Sequence, residues 1–148
     1  MNQPISAPLA SAVSAAEFHV LRLLPGQELL SALQQWLEQQ PFDAAFIASA
    51  VGSLSVASLR FAAQEHPCVI DKPFEVHALS GTLDRTCPHL HISLSDGQGQ
   101  MIGGHLMPGC IVRTTLELVI GVLPSLHFGR APCPHSGYDE LTVTYKED

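Results

Sequence analysis

Three histidines, His89, His91 and His105, stand close together in the second half of the chain. Neutral imidazole is a common protein ligand of zinc, and it also binds nickel, copper and iron. Three protein ligands and a water form the usual open zinc site. The three residues therefore predict a site for a divalent transition metal such as zinc. A set of hydrogen-bonded histidines within a sheet, holding no metal, is the equal alternative that the spacing leaves open.

A predicted β-hairpin would position these histidines. Residues 89–95 alternate in side-chain type and include β-branched and aliphatic members, which is typical of a strand. Asp96-Gly97 and Gly99 supply a turn that tolerates positive φ. Residues 100–106 then lead back as the second strand.

The geometry of a hairpin decides whether the three imidazoles meet. His89 and His91 are two residues apart and share one face of their strand. His105 joins that face if the turn has an odd number of residues, and it lies on the other face if the number is even. Gly103 and Gly104 would line the site beside His105 and let the backbone bend there.

Two further residues are candidates for the same site. Glu75 is the only carboxylate of the predicted strand 74–83, where it shares a face with His77. It could orient an imidazole or act as a general base, and a structural acid is an equal alternative. Cys87 precedes His89 by two residues, although a free structural thiol is favoured over an extra metal ligand.

Composition and charge limit the possible partners. The chain has 148 residues, which suits one domain, and its net charge is −7. Its seven lysines and arginines are scattered and form no basic run, so direct binding to DNA is doubtful on charge grounds. Charged residues make up only 14% of the chain, below the typical quarter. This scarcity favours a surface partly buried in an oligomer.

The sequence also bears on location. Four cysteines are present without a C-x-x-C motif, and residues 1–16 lack the features of a secretory signal. No apolar run approaches the roughly 18 residues of a membrane helix. We therefore expect reduced thiols, a cytoplasmic protein and no contact with a membrane.

The remaining pattern predicts several strands and one clear helix. Residues 1–16 are interpreted as a flexible tail and 17–148 as the folded domain. Leucines and Trp36 recur at helical spacing before Pro41. The predicted elements are strand 18–23, helix 27–39, strands 44–54 and 55–61 joined by a turn at Gly52-Ser53, a polar loop 65–73, strand 74–83, the hairpin, one or two strands over 110–123, an irregular loop 124–137 and a strand 141–145.

Several motifs resemble, in order, the plants-and-prokaryotes-conserved (PPC) domain. They span residues 18–146, nearly the whole chain. The motifs are Leu24-Pro25-Gly26-Gln27-Glu28, Ala50-Val51-Gly52-Ser53-Leu54, Leu59-Arg60, Pro73-Phe74-Glu75-Val76 with Leu79-Ser80-Gly81-Thr82-Leu83, and His89-Leu90-His91-Ile92-Ser93-Leu94 with Asp96-Gly97 and Gly103-Gly104-His105-Leu106.

This resemblance implies an α/β domain of the α+β type, with a mostly antiparallel sheet, flanking helices and assembly as a homotrimer. In plants the domain serves association between proteins while a separate AT-hook holds DNA, and stand-alone bacterial members are often described as DNA-binding. The chain is therefore expected to be a homotrimeric binding or regulatory module.

The alternative is a metal-dependent enzyme that acts on a small molecule at a subunit interface, with Glu75 as its base. Signatures such as G-x-S-x-G, H-E-x-x-H and the P-loop are absent from the sequence. His127 and His135 are interpreted as surface histidines of the loop 124–137.

Overall fold

The computed structural model describes residues 11–147, so most of the predicted tail 1–16 lies outside the described residues. One helix and eight strands follow one another along this part of the chain. They are β1 Glu17–Leu23, α1 Leu29–Glu38, β2 Ala45–Arg60, β3 Cys68–Leu83, β4 His89–Ser95, β5 Met101–Leu106, β6 Ile111–Val122, β7 Leu126–Pro132 and β8 Asp139–Tyr145. No α-helix of residues 11–147 has the length and apolarity needed to cross a bilayer.

Six strands form one antiparallel sheet in the order β1-β6-β2-β3-β4-β5. The end of β2 also pairs with β5, through Leu59 opposite Leu106 and Arg60 opposite His105. Strands β2, β3, β4 and β5 therefore close into a small barrel, while β7 and β8 form a separate two-stranded ribbon. The prediction of a mostly antiparallel α/β domain is confirmed, with a single helix among the described residues.

Strand β2 is continuous, so the predicted turn at Gly52-Ser53 is wrong. Gly52 pairs with Val76 of β3 on one side and Leu116 of β6 on the other. A Cβ atom on Gly52 would lie 2.1 Å from the Thr115 carbonyl oxygen. The glycine therefore permits close approach of two strands rather than a reversal of the chain.

The predicted polar loop 65–73 is also corrected, because β3 already begins at Cys68. Residues 68–71 pair with residues 56–59 of β2. The register shifts between Leu54 and Val56, which leaves Pro73 at an irregularity of the ladder. A bulge is one of the few places where a sheet tolerates proline. The predicted irregular loop 124–137 likewise contains β7.

Helix α1 lies within the predicted range 27–39 and covers the sheet. Leu29, Leu33 and Leu37 recur at helical spacing and are all buried in the main core. Burial of each leucine stabilises the fold by about 1.5–3 kcal/mol. Trp36 is half-buried against the same core, as expected of a packing aromatic, with its ring centroid 5.7 Å from that of Phe42.

Glu28 caps the N-terminus of α1, and we expect Glu28→Ala to lower the free energy of unfolding by about 1 kcal/mol. Its carboxylate accepts hydrogen bonds from the backbone N–H groups of Leu30, Ser31 and Gly109. Urea denaturation at pH 7 measures the loss. Glu38→Ala, at the other end of the helix, is the matched control and should leave stability unchanged or slightly higher, because a carboxylate at a helix C-terminus opposes the helix dipole.

The same carboxylate makes stability depend on pH. Partial burial raises the pKa of Glu28, but hydrogen bonds from Ser31, Gly109 and Leu30 outweigh it and hold the pKa below its usual value. A lowered folded-state pKa stabilises the fold above the unfolded pKa, and the stabilisation is lost as the pH falls through the folded value. Between about pH 5 and pH 3, wild type should therefore lose more stability than Glu28→Gln. Equal losses would contradict this assignment.

Candidate metal centre

The hairpin β4–β5 brings the three predicted histidines onto one face. The turn between its strands consists of residues 96–100, an odd number, and His91 pairs directly with His105. The ring centroid of His89 lies 5.2 Å from the centroid of His91 and 5.2 Å from that of His105, and the centroids of His91 and His105 are 5.5 Å apart. One ligand nitrogen from each ring lies within 4.8 Å of the other two.

This arrangement fits a first-row transition metal. Zinc binds imidazole nitrogens at about 2.0–2.1 Å, which in a tetrahedral site separates them by about 3.3 Å. The three nitrogens lie within 4.8 Å of one another, near this separation, and His89 and His91 are exposed while His105 is half-buried. If these three imidazoles held a metal, the hairpin alone would supply its protein ligands.

The surroundings of His105 and His89 favour the neutral imidazole, the form that binds a metal. Burial lowers the pKa of His105 to about 4, with help from the nearby charges of Arg60, His89 and His91. Burial also lowers the pKa of His89, as do His91, Arg130 and Arg60, whereas Glu140 raises it. At neutral pH no proton competes strongly for the nitrogens of these two rings.

Glycines hold the backbone of the site close to its neighbours. Gly81 of β3 has φ +133°, and a Cβ there would lie 1.9 Å from the carbonyl oxygen of His89. A Cβ on Gly103 or Gly104 would lie 3.0 Å from a carbonyl oxygen of the adjacent strand. Small residues here let β3, β4, β5 and β2 pack tightly around the histidines, and Gly103 and Gly104 line the cavity beside them.

The histidines open into a cavity of about 1030 Å³. Its walls come from three parts of the chain besides the hairpin: residues 60–65 at the end of β2, the segment 87–88 before β4, and the ribbon β7–β8 with Arg130 and residues 138–140. A cavity of this size suits a small molecule. The three-histidine face therefore has both a place for a metal and room for a ligand.

A buried ion pair fixes the segment that leads into the hairpin. Arg130 Nε lies 3.1 Å from Asp84 Oδ2, and the two side chains are only 6% and 0% exposed. The other oxygen of Asp84 accepts hydrogen bonds from the N–H groups of Thr86 and Cys87. Arg130 thus ties the β7–β8 ribbon to the turn just before His89.

The structure does not bring every predicted candidate to the histidines. Glu75 pairs with Ser95, at the opposite end of β4 from His89, and it is not among the residues that line the cavity. Cys87 is exposed on the cavity wall, outside the group of convergent ligand atoms. His127 and His135, interpreted as surface histidines, are both exposed, and His127 Nδ1 lies 2.7 Å from Asp43 Oδ2.

Sequence reasoning missed the charged residues of the cavity, among them Arg60, Arg130 and Glu140. Arg60 faces it because β5 returns to pair with the end of β2, and that closure has no local signal in the sequence. Arg130 and Glu140 face it because β7 pairs with β8, with Ala131 opposite Glu140. The alternation of residues 141–145 predicts a strand there, but it does not indicate which part of the chain that strand packs beside.

Comparisons with known proteins agree with this architecture. Residues 10–124 match the Plants and Prokaryotes Conserved (PCC) domain. A relative from Synechococcus sp., named bifunctional protein GlmU, is 45% identical over 127 residues, which are 86% of this chain. The match covers only 20% of that relative, so the chain spans about a fifth of its length.

Solved structures extend the comparison. A hypothetical protein from Salmonella enterica is 52% identical, with a TM-score of 0.90 over 92% of this chain and 99% of that one. A metal-containing protein from Archaeoglobus fulgidus shares the fold at 23% identity, with a TM-score of 0.71 over 95% and 100% of the two chains. A candidate DNA-binding protein from Ralstonia eutropha does so at 21% identity, with a TM-score of 0.72 over 84% and 90%.

Proposed function

The chain belongs to the Plants and Prokaryotes Conserved domain family, and from that premise we propose that it is a homotrimeric binding and regulatory module with one divalent transition metal per chain. The metal is held by His89, His91 and His105, and zinc is the ion that we assign to it. The convergence of three ligand nitrogens within 4.8 Å carries the proposal. The archaeal relative described as metal-containing supports it.

Metal analysis of protein purified without a histidine tag tests the metal site. We expect close to one equivalent of metal per chain, and a lower melting temperature after treatment with a chelator, because an ion that binds only the folded state stabilises it. Less than about a tenth of an equivalent, together with unchanged stability in chelator, would remove the proposal, since metal bound at a folded site must contribute to stability.

Self-association is supported by an exposed apolar face on β1, β6 and β2. Phe18, Val20 and Val51 are 61%, 78% and 55% exposed. The register places Phe18 opposite Gly121 and Val20 opposite Val119, while Val51 lies opposite Glu117. These side chains therefore share one face of the three strands, on which the apolar residues border the Arg22–Glu117 pairing. Patches of this kind mark interfaces between proteins.

Light scattering tests the trimer. We expect three times the 15.9 kDa mass of one chain. Val20→Lys places a charge on the apolar face and should yield smaller species. Val69→Lys, at a residue 65% exposed on β3, is the control and should leave the mass unchanged. A wild-type mass equal to one chain would exclude the trimer.

Direct binding to DNA is not part of this proposal. The net charge is −7, and two of the seven basic side chains, Lys72 and Arg130, are already paired with Asp96 and Asp84. Duplex affinity depends largely on clustered lysine and arginine that neutralise phosphates. The Ralstonia protein described as a candidate DNA-binding protein shares the fold of this chain, and that likeness does not give this chain a basic cluster.

We also place the protein in the cytoplasm. Cys68, Cys87, Cys110 and Cys133 are all free, as expected in a reducing compartment. Titration of protein unfolded directly from cell extract should give four thiols per chain. A disulfide in that material would contradict the assignment.

A second candidate function is a metal-dependent enzyme acting on a small molecule, and the cavity in front of the histidines favours it. A bound divalent metal would supply an activated water. Among the carboxylates, Glu140 lines the cavity and influences His89, so it is better placed than Glu75 to accept a proton. The residues 60–65 and 138–140 would enclose the substrate.

Hydrolysis of an activated ester by the zinc-loaded protein tests this second function. Loss of a general base costs about 100-fold or more, so Glu140→Gln should lower the rate by that factor. Glu75→Gln is the matched control and should leave the rate unchanged. If wild type hydrolysed the ester no faster than free zinc, the enzyme would be excluded. A slower rate in Glu75→Gln than in Glu140→Gln would instead identify Glu75 as the base.

A further inference from the structure

We propose that the metal centre takes an oxyanion-bearing ligand, a carboxylate or a phosphate, with one oxygen on the metal and another on the guanidinium of Arg60. This inference rests on the metal site proposed above and adds the chemical class of its ligand. It starts from Arg60, which lies directly opposite His105 in the β2–β5 pairing. Residues paired in this way hold their side chains on the same face, with Cβ atoms about 4.5–5.5 Å apart.

The guanidinium of Arg60 has donors to spare. Among residues 11–147, its one hydrogen bond to a protein group runs from an Nη atom to the carbonyl oxygen of Gln64, at 3.3 Å. Within residues 11–147 no carboxylate oxygen lies within 4.0 Å of it. A guanidinium carries five N–H donors in a planar fork that matches two oxygens of a carboxylate or phosphate. Arg60 lines the cavity, and most of its N–H donors make no hydrogen bond within residues 11–147.

The other arginine of the cavity shows the contrast. Arg130 is bound to Asp84 at 3.1 Å and donates a second hydrogen bond to Thr82, and its side chain is almost fully buried. Its charge is compensated within the protein and its donors face inward. Arg60 is half-buried and has no such partner, so it is the cation available to a ligand.

The cavity is polarised around the histidines. Arg60 lies opposite His105, and its charge acts on both His105 and His89, whereas Arg130 and Glu140 act on His89 with opposite signs. The other carboxylates of the wall, Glu65 and Asp139, are exposed to solvent. The positive side of the cavity is therefore the side of His105.

A metal ion bound by the three imidazoles would add two positive charges beside Arg60. Like charges so close together repel each other, and this cost falls when an anion is shared between them. An oxyanion that bridges the metal and the guanidinium satisfies both groups at once. A neutral metal ligand would leave the guanidinium of Arg60 without a counter-charge.

The loop after Arg60 has a defined conformation that forms part of the cavity wall. Ala63 has φ +57°, a left-handed conformation that is rare outside glycine and found at functional sites. The turn is closed by a hydrogen bond from the N–H of Gln64 to the carbonyl oxygen of Phe61. This shape brings the Gln64 carbonyl to the guanidinium and limits the positions it can adopt.

Cobalt-loaded protein, freed of excess metal, tests the proposal through its visible absorption. Inorganic phosphate and acetate are added in separate titrations, and imidazole serves as a neutral ligand that needs only the metal. We expect phosphate, acetate or both to shift the spectrum, and the stronger of the two identifies the oxyanion class. Arg60→Met should weaken that binding by at least about tenfold, the loss of one charge-assisted pair, without changing the response to imidazole.

Arg113→Met is the matched control, because Arg113 is exposed on β6 and lies outside the cavity, and its anion binding should equal that of wild type. Arg60→Lys keeps the positive charge but lacks the planar pair of donors, so its anion affinity should lie between those of wild type and Arg60→Met. This variant keeps the test possible if Arg60→Met does not fold. Cobalt binding with no response to either anion, or equal anion binding in wild type and the Arg60 variants, would overturn this inference alone. Failure to bind cobalt would instead overturn the metal site and this inference with it.

Discussion

His91→Ala is expected to lose metal affinity by more than about 100-fold while the protein keeps its fold, since even the loss of a group behind a ligand costs 10–100-fold. His91 lies directly opposite His105 and two residues from His89, and its ring is one corner of the triangle of imidazoles. Its side chain is exposed, so alanine leaves no cavity in the core. Competition with a chromophoric chelator measures the affinity, and circular dichroism checks the fold.

His135→Ala is the matched control for this prediction. His135 is exposed and lies outside the convergent group, so its removal should leave metal affinity unchanged. A second readout follows from linkage: metal at about 100 times its dissociation constant stabilises wild type by about 2.7 kcal/mol. The same concentration should leave His91→Ala almost unaffected. Stoichiometric metal of unchanged affinity in His91→Ala would show that the ion binds elsewhere.

The part of the site that depends on neighbouring residues in the chain could be predicted from the sequence. The alternation in residues 89–95 and the glycines of the turn specify a hairpin, and a strand fixes His89 and His91 on one face. The position of His105 depends on the parity of the turn, which the sequence leaves open because Asp96-Gly97 and Gly99 suit several turn lengths. The structure resolves it through the pairing of Ser95 with Met101.

The rest of the site depends on pairings between distant parts of the chain. Arg60 reaches the histidines only because β5 closes onto the end of β2, and Glu140 only because β8 pairs with β7. A strand pattern reports that one face is buried, but it does not say which strand is its neighbour. The error at Gly52 has the same origin, since a glycine that admits a neighbouring strand looks in sequence like a glycine that makes a turn.

The ion pair between Arg130 and Asp84 should produce the largest loss of stability. Arg130→Ala leaves the Asp84 carboxylate fully buried without its partner, and breaking a buried pair in this way costs about 3–5 kcal/mol. The guanidinium also donates to Thr82, so a second hydrogen bond is lost with it. Urea denaturation measures the change. Arg113→Met, at an exposed position, is the control and should stay within about 0.5 kcal/mol of wild type.

A double mutant separates the charge pair from the packing around it. Arg130→Met with Asp84→Asn removes both charges and keeps most of the volume, so it should recover a large part of the stability lost in Arg130→Met alone. Because Asp84 also accepts the N–H groups of Thr86 and Cys87, the turn before His89 should loosen in the single variant, and metal affinity should fall with stability. If Arg130→Met were as stable as wild type, or if the double mutant were the sum of the two single losses, the pair would not hold the β7–β8 ribbon to the hairpin.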